Sequence, residues 1–300
     1  MSREQVERWR QFRIRRQRRY RLAGASLVAL AILLGANGLL AGTPHWNPRA
    51  GPLGHAPHQA VIDAVEGRGG ASLWSLPEAR DYSVHQRAGI TVTVRTEPYP
   101  QALAETAGYT AFGALYGDTT SVEAPGGLWD QLLQEHLAGV RPRWPVAVAE
   151  SAFHVHGQAG KTLDEAQTVF LAATPTPAGV LEALRAGRAY AHLRVPEFAL
   201  VLEAFTVNGA GPGQTATAPP GAAPRIALAL AASDGRPHPV EARLIRNGAV
   251  IAVRRGPTPL ALTQEDVEPP KASSWYYRLD VRGEKGVRLL TNPVFVRGRG

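Results

Sequence analysis

The stretch VEARLIRNGAVIAV, residues 240–253, decides how the second half of the chain folds. Two aliphatic runs flank Asn247-Gly248, and an Asn-Gly pair in that setting is a strong signal for a tight two-residue hairpin. Further strand-like runs lie on both sides of it: FALVLEAFTV (198–207), RIALALAA (225–232), SSWYYRLDV (273–281) and VRLLTNPVFV (287–296). Trp275, Tyr277 and Leu279 alternate as one buried face requires. With no helix-length pattern between these runs, residues 196–300 are predicted to form an antiparallel, Ig-like β-sandwich.

The preceding part of the chain, residues 58–195, shows a different pattern, in which short strands alternate with helices. Predicted helices cover 58–67, 128–137 and 177–187, and predicted strands include ITVTVRT (90–96), PVAVA (145–149) and TVFLAA (168–173). This alternation predicts an α/β layer. The predicted fold class is therefore α/β plus all-β.

The N-terminal part predicts a membrane anchor. Residues 1–21 hold nine arginines against two glutamates, and residues 22–42 are apolar and uncharged. A helix of that length spans a hydrocarbon core of about 30 Å, and a basic flank stays cytoplasmic. We therefore expect a bacterial inner-membrane protein with a basic cytoplasmic tail (1–21), a single transmembrane helix (22–42), a Pro/Gly-rich stalk (43–57) and periplasmic domains. A removable signal peptide is the alternative.

Two features of this N-terminal part are candidate contact sites. Small residues follow one face of the predicted membrane helix, which permits close packing against a partner helix; they are Gly24, Ala31, Gly35, Gly38 and Gly42. The arginines nearest the apolar segment are candidates for binding anionic lipid headgroups or a partner; they are Arg13, Arg15, Arg16, Arg18, Arg19 and Arg21.

Composition excludes several functions. Outside residues 1–21 the charges nearly balance, with 24 Lys plus Arg against 23 Asp plus Glu, so we expect no nucleic-acid partner. The chain has no cysteine, which excludes disulfides, thiolate catalysis and Cys-ligated zinc. No P-loop and no dinucleotide-binding pattern is present. We therefore expect no cofactor.

A series of short motifs in order resembles a known family. They are AVIDAVEGRGG (60–70), VLEALRAGRAY (180–190), FTVNGAGPG (205–213), LIRNGAVIAV (244–253), SSWYYRLDVRG (273–283) and LLTNPVFV (289–296). Together, over about residues 57–300, they resemble the C-terminal part of the PHP-domain metal-dependent phosphoesterases, in the subgroup with a trailing β-sandwich. The resemblance implies that the α/β part is an N-terminally shortened remnant of a (β/α) barrel.

The same resemblance implies a ring of His, Asp and Glu around two or three metal ions, and this chain departs from it. Leu76 stands where the family has the histidine of Ala-His-Pro, and Ala152 stands where it has the aspartate of Ser-Asp-x-His. The strand that carries the family's first His-x-His is missing. We therefore predict a pseudoenzyme without catalytic or metal-binding residues, in which His154 and His156 are the residual metal candidates. Glu150, His136 and Asp118 are further residues that could converge with them.

These observations leave three functional hypotheses. The first is a non-catalytic accessory or structural subunit that binds and stabilises a larger integral-membrane complex, respiratory or photosynthetic. The second is a membrane-tethered metal-dependent phosphoesterase whose site has been rebuilt around His154 and His156. The third is a carbohydrate- or cell-envelope-binding module, for which exposed aromatic side chains at Trp275, Tyr276 and Tyr277 would form the platform.

Overall fold

The computed structural model describes residues 54–87, 90–117, 120–153, 155, 162–219 and 222–298. The chain divides into two units, Met1–Pro57 and His58–Gly300, and the second holds all the sheets. The α-helices among the described residues are α1 (Ala56–Glu66), α2 (Gln101–Glu105), α3 (Leu128–Leu137) and α4 (Pro177–Ala186). The first strands are β1 (Leu73–Trp74), β2 (Asp81–Arg87), β3 (Ile90–Thr96), β4 (Ala111–Leu115), β5 (Val146–Ala149), β6 (Ala166–Phe170) and β7 (Ala189–Leu193).

The remaining strands belong to the C-terminal hundred residues. They are β8 (Leu200–Val207), β9 (Thr215–Ala218), β10 (Arg225–Ala232), β11 (Pro239–Arg246), β12 (Ala249–Pro257), β13 (Leu260–Glu265), β14 (Ser274–Gly283), β15 (Arg288–Thr291) and β16 (Val294–Gly298). β8, β10 and β13 form one sheet in the order β13-β10-β8, and the other strands of this group join a larger sheet.

The larger sheet has eight strands in the order β12-β11-β14-β15-β7-β6, with β16 beside β14 and β9 beside β16. The β11–β12 turn lies at Asn247-Gly248, where both residues have positive φ (+47° and +86°). The hairpin predicted from this pair is therefore confirmed. Its two positive φ values match the right-handed twist of the flanking strands.

The core of the sandwich lies between these two sheets. On β10, the residues Ile226, Leu228, Leu230 and Ala232 alternate inward, and on β14 the side chains of Trp275, Tyr277 and Leu279 face the same core. This alternation is the period-2 pattern that one buried face requires. The pattern read from the sequence on β14 is therefore confirmed.

The second face of the larger sheet is buried as well. Tyr276, Leu290 and Phe295 pack there against Trp129, Leu132 and Leu133 of α3 and against the small parallel sheet. A strand that is covered on both faces is buried at nearly every residue. β14 is buried at every residue from Trp275 to Val281. The sheet is therefore the middle layer of this unit.

The α/β part is smaller than predicted. Its parallel sheet holds the three strands β1-β4-β5, while β6 and β7 pair antiparallel and join the sandwich through the β7–β15 ladder. Short apolar runs do not reveal which sheet they will join. Strands from both sides of the boundary predicted at 195/196, such as β7 and β15, pair in the larger sheet.

The predicted fold class was wrong. Of the residues that the structure describes, 41% lie in strands and 17% in helices, so this part is predominantly β instead of an α/β layer followed by a sandwich. The single-pass membrane helix is corrected as well, because none of the helices that the structure describes has the length and apolar character to cross a bilayer. The predicted tail (1–21), the span (22–42) and most of the stalk lie outside the described residues.

Candidate functional site

The carboxyl ends of the three parallel strands form the edge at which ligands bind in open α/β sheets. Ser75 and Leu76 follow β1, Tyr116 follows β4, and Glu150 follows β5. We call this group, with Tyr99 and Glu78, the carboxyl edge. The predicted resemblance would put a ring of metal ligands at this edge. The side chains at the edge therefore test whether metal-dependent phosphoester hydrolysis is possible there.

The Glu150 carboxylate connects two loops of the carboxyl edge. Its Oε2 accepts a hydrogen bond of 2.8 Å from the Leu76 N–H, and its Oε1 accepts one of 2.9 Å from the Ser75 hydroxyl. Burial raises the pKa of Glu150, and this effect outweighs the two hydrogen bonds, which lower it. Each carboxylate oxygen therefore holds a group of the β1 loop.

Gly113 makes room for this carboxylate. It lies on β4, the middle strand, and a Cβ at this position would overlap with Oε2 of Glu150. A glycine is thus required here for close approach of a side chain and not for an unusual backbone angle.

Tyr99 holds the same loop from the other side. Its hydroxyl donates a short hydrogen bond to the Ser75 carbonyl, and its N–H donates to the Pro77 carbonyl at 2.7 Å. Its ring also lies 5.7 Å from that of Trp74. Burial, followed by the charge of Glu150, raises the pKa of Tyr99 to about 12. The tyrosine is therefore a neutral hydrogen-bond donor at physiological pH.

Glu78 ties a third loop to this edge. Its Oε2 accepts hydrogen bonds from the N–H groups of Ser121 (2.7 Å) and Val122 (2.9 Å), and its Oε1 accepts from the Ser121 hydroxyl. The Glu78 N–H donates to the Tyr116 hydroxyl at 2.8 Å. Both carboxylates of the carboxyl edge therefore brace loops together.

The backbone is left-handed at the two positions that the resemblance assigns to metal ligands. Leu76 has φ +47° and Ala152 has φ +49°. For residues with a Cβ this region costs roughly 1–2 kcal/mol. The unusual backbone is present at both positions, but the side chains of leucine and alanine have no atom that can bind a metal. These two positions therefore do not fit the metal ring that the family implies.

Most of the other predicted site residues lie outside the described part of the chain, and His136 is the exception. His154, His156 and Asp118 lie outside the described residues, as do the small-residue stripe (Gly24, Ala31, Gly35, Gly38, Gly42) and the arginines Arg13, Arg15, Arg16, Arg18, Arg19 and Arg21. His136 lies at the end of α3, with Nδ1 3.1 Å from the Arg141 carbonyl and its ring edge-on to Phe295. Within the described ranges, no three of the His, Asp and Glu side chains are grouped to hold a metal ion.

The sequence did not reveal the role of Glu66, on α1. Its Oε1 accepts hydrogen bonds from the Ser72 N–H, the Ser72 hydroxyl and the Thr110 hydroxyl at 2.7–2.8 Å, and its Oε2 pairs with Arg143 at 3.1 Å. Burial opposes ionisation of Glu66, but these partners outweigh it and lower its pKa. Glu66 is the last residue of α1 and precedes Gly69-Gly70. Neither feature of the sequence indicates that several hydrogen-bond donors meet at its carboxylate.

The aromatic platform of the third hypothesis is not at the surface. Trp275, Tyr276 and Tyr277 are all buried, with exposed fractions of 3%, 0% and 0%. A carbohydrate would need at least one exposed ring face on which to stack.

Comparisons with known proteins found no matching family model and no matching curated protein. Among solved structures, this chain is similar to an engineered protein known from a crystal structure at 1.98 Å, with 12% identity and a TM-score of 0.22. That match covers 67% of this chain and 43% of the engineered protein. A likeness at this TM-score carries no argument about fold or function.

Proposed function

We propose that this chain is a non-catalytic structural subunit whose folded part, residues 58–300, binds and stabilises a larger protein complex. The observation that supports this most is the use of Glu150. Its oxygens accept hydrogen bonds from Leu76, which is one of the two altered ligand positions, and from Ser75. A carboxylate that braces two loops is a structural group.

Metal-dependent phosphoester hydrolysis would require a different arrangement of side chains at this edge. Ions that activate water and clamp a phosphate need a full ring of donors with open lone pairs. Leu76 and Ala152 supply none, and releasing Glu150 to a metal would leave the Leu76 N–H without its acceptor. A fully buried donor without a partner costs about 1–3 kcal/mol, and this part-buried N–H would lose up to that amount. The residues present therefore favour a structural role for this edge.

The layering of the unit also supports a structural subunit. The middle sheet is buried on both faces, and α3 is fastened to it by the buried Asp130–Arg278 ion pair. Such a body presents its surfaces in fixed relative positions, which lowers the conformational cost of binding a partner.

The experiment that tests the proposal is capture of a partner by the tagged full-length chain, followed by reconstitution with the purified partner. We expect one protein, or one complex, to be retained at a fixed ratio and to bind again when mixed pure. Glu150→Gln is the matched variant: it keeps a side chain of equal size, so capture should be unchanged. A chain that stays alone under these conditions, or capture that depends on Glu150, would contradict the proposal.

A further inference from the structure

The β2–β3 hairpin is an arm that extends from the carboxyl edge. It follows the Leu76–Ala79 turn and ends just before Tyr99, so its base is fixed by the contacts described above. Within the described part of the chain, β2 and β3 pair only with each other. Val84, Val92 and Val94 are exposed by 43–49%. Val92 and Val94 share one face of the hairpin, and Val84, which is opposite Thr93, lies on the other. A two-stranded hairpin with exposed apolar side chains is marginal alone and gains from a further strand.

The outer edge of β3 has little of the usual protection. Natural proteins guard exposed edges with charged residues, proline or bulges. Arg95 is the one charged residue among the seven of β3, none of them is proline, and the ladder with β2 is regular over seven residue pairs. β2, in contrast, carries Asp81, His85 and Arg87 along its length. The free edge of β3 is therefore the edge that is better suited to pair with a further strand.

We propose that β3 pairs antiparallel with β3 of a second copy of this chain, in a register centred on Thr93. The two hairpins then form one four-stranded sheet. The register places Thr93 opposite Thr93, Val92 opposite Val94, and Thr91 opposite Arg95 of the second copy, so no like charges meet. Thr–Thr and β-branched cross-strand pairs are favourable.

The self-complementarity of this strand is the argument for a second copy instead of another protein. In a two-fold symmetric interface each contact occurs twice, so a strand must match its own reverse. The centre of β3, Val92–Thr93–Val94, does so about Thr93, and the charge of Arg95, which would lie opposite Thr91, is already paired with Glu97 at 2.5 Å. One strand pair buries less than the roughly 1,200 Å² of standard interfaces, so the dimer is weak and concentration-dependent.

The chain contains no cysteine, so an introduced one reports a single position. Thr93→Cys in the full-length chain places two thiols across the symmetry axis, where opposite Cα atoms lie about 4.5–5.5 Å apart and a disulfide can form. Val84→Cys is the matched control, because Val84 is the β2 partner of Thr93 and lies away from the proposed axis. We expect rapid, concentration-dependent cross-linking for Thr93→Cys and slow cross-linking for Val84→Cys.

Sedimentation of the full-length chain gives a second readout. Thr93→Lys puts like charges opposite each other and should weaken the dimer roughly fivefold, while an equimolar mixture with Thr93→Glu should restore it. Gln86→Lys adds the same charge to β2 and should change nothing. The proposal is overturned if Thr93→Cys cross-links no faster than Val84→Cys, or if Thr93→Lys self-associates like the unaltered chain. If the chain self-associates through another surface, Thr93→Lys will self-associate as strongly as the unaltered chain.

Discussion

Asp130 and Arg278 join α3 to the middle sheet, and breaking this pair is the most quantitative test of the fold. Both side chains are fully buried. Asp130 accepts hydrogen bonds from Arg278 Nε (2.7 Å), Arg278 Nη2 (2.5 Å), the Tyr276 hydroxyl (2.7 Å) and the Gly126 N–H (2.8 Å). The guanidinium also lies 4.9 Å from the Trp129 ring. The pair is thus bidentate and leaves neither partner in contact with water.

Asp130→Ala should lower the free energy of unfolding by about 3–5 kcal/mol, because it leaves a buried guanidinium without its counter-charge. With a urea slope of about 2–3 kcal/mol per molar for a unit of this size, the midpoint should fall by roughly 1–2.5 M. The assay is urea unfolding followed by tryptophan fluorescence, for which Trp129 is a reporter close to the change. Because native domains are stable by only about 5–15 kcal/mol, this loss is large.

Two variants separate the mechanism from a general loss of packing. Asp130→Ala combined with Arg278→Met removes both charges and should recover much of the loss, since the penalty arises from the unpaired charge. Glu197→Ala breaks the surface ion pair between Glu197 (59% exposed) and Lys285 (62% exposed). This change should leave the urea midpoint unchanged. If Asp130→Ala and Glu197→Ala had equal midpoints, the burial and pairing assigned to Asp130 would be refuted.

Three further predictions concern the carboxyl edge and the middle sheet. Glu150→Ala should lower the free energy of unfolding by about 1–3 kcal/mol by leaving the Leu76 N–H without an acceptor, whereas Glu150→Gln should cost less; equal losses in urea unfolding would contradict the bracing role. Gly113→Ala should be destabilising in the unaltered chain but less so together with Glu150→Ala, because the added methyl group overlaps mainly with that carboxylate, while the Leu76 backbone nitrogen would lie 3.0 Å from it; additive losses in the same assay would refute this. Burial, followed by the charge of Arg194, lowers the pKa of His192, so the unfolded chain binds the proton more readily. Stability should be complete above the unfolded pKa of about 6.5 and fall as the pH drops below it, and thermal melts of His192→Gln should lack that fall.

The local elements could be predicted from the sequence because each carries its own signal. α3 has the bounds that its apolar periodicity indicated. α4 begins after Thr176, whose side chain accepts a hydrogen bond from the Gly179 N–H. The helix is ended by Gly187, which has the left-handed conformation. β10 has the predicted bounds as well. These features depend on residues close together in the chain.

The parts that escaped prediction depend on distant residues. β2, DYSVHQR, is mostly polar in sequence, and its ladder with β3 is what defines it as a strand. Glu150 and Leu76 are 74 positions apart, and their contact requires β1 and β5 to lie in one parallel sheet. Glu66 and Arg143 are separated by 77 positions in the same way. Periodicity within a window cannot indicate such convergence.

The central claim is that the carboxyl edge is a brace and not a catalytic centre. The most direct test is the metal content of the purified full-length chain after incubation with Mn²⁺ or Zn²⁺, together with its hydrolysis of a phosphodiester. We predict no stoichiometric metal and no turnover above buffer, in the unaltered chain and in Glu150→Gln alike. Stoichiometric metal with turnover that His154→Ala or Glu150→Gln abolishes would contradict the account.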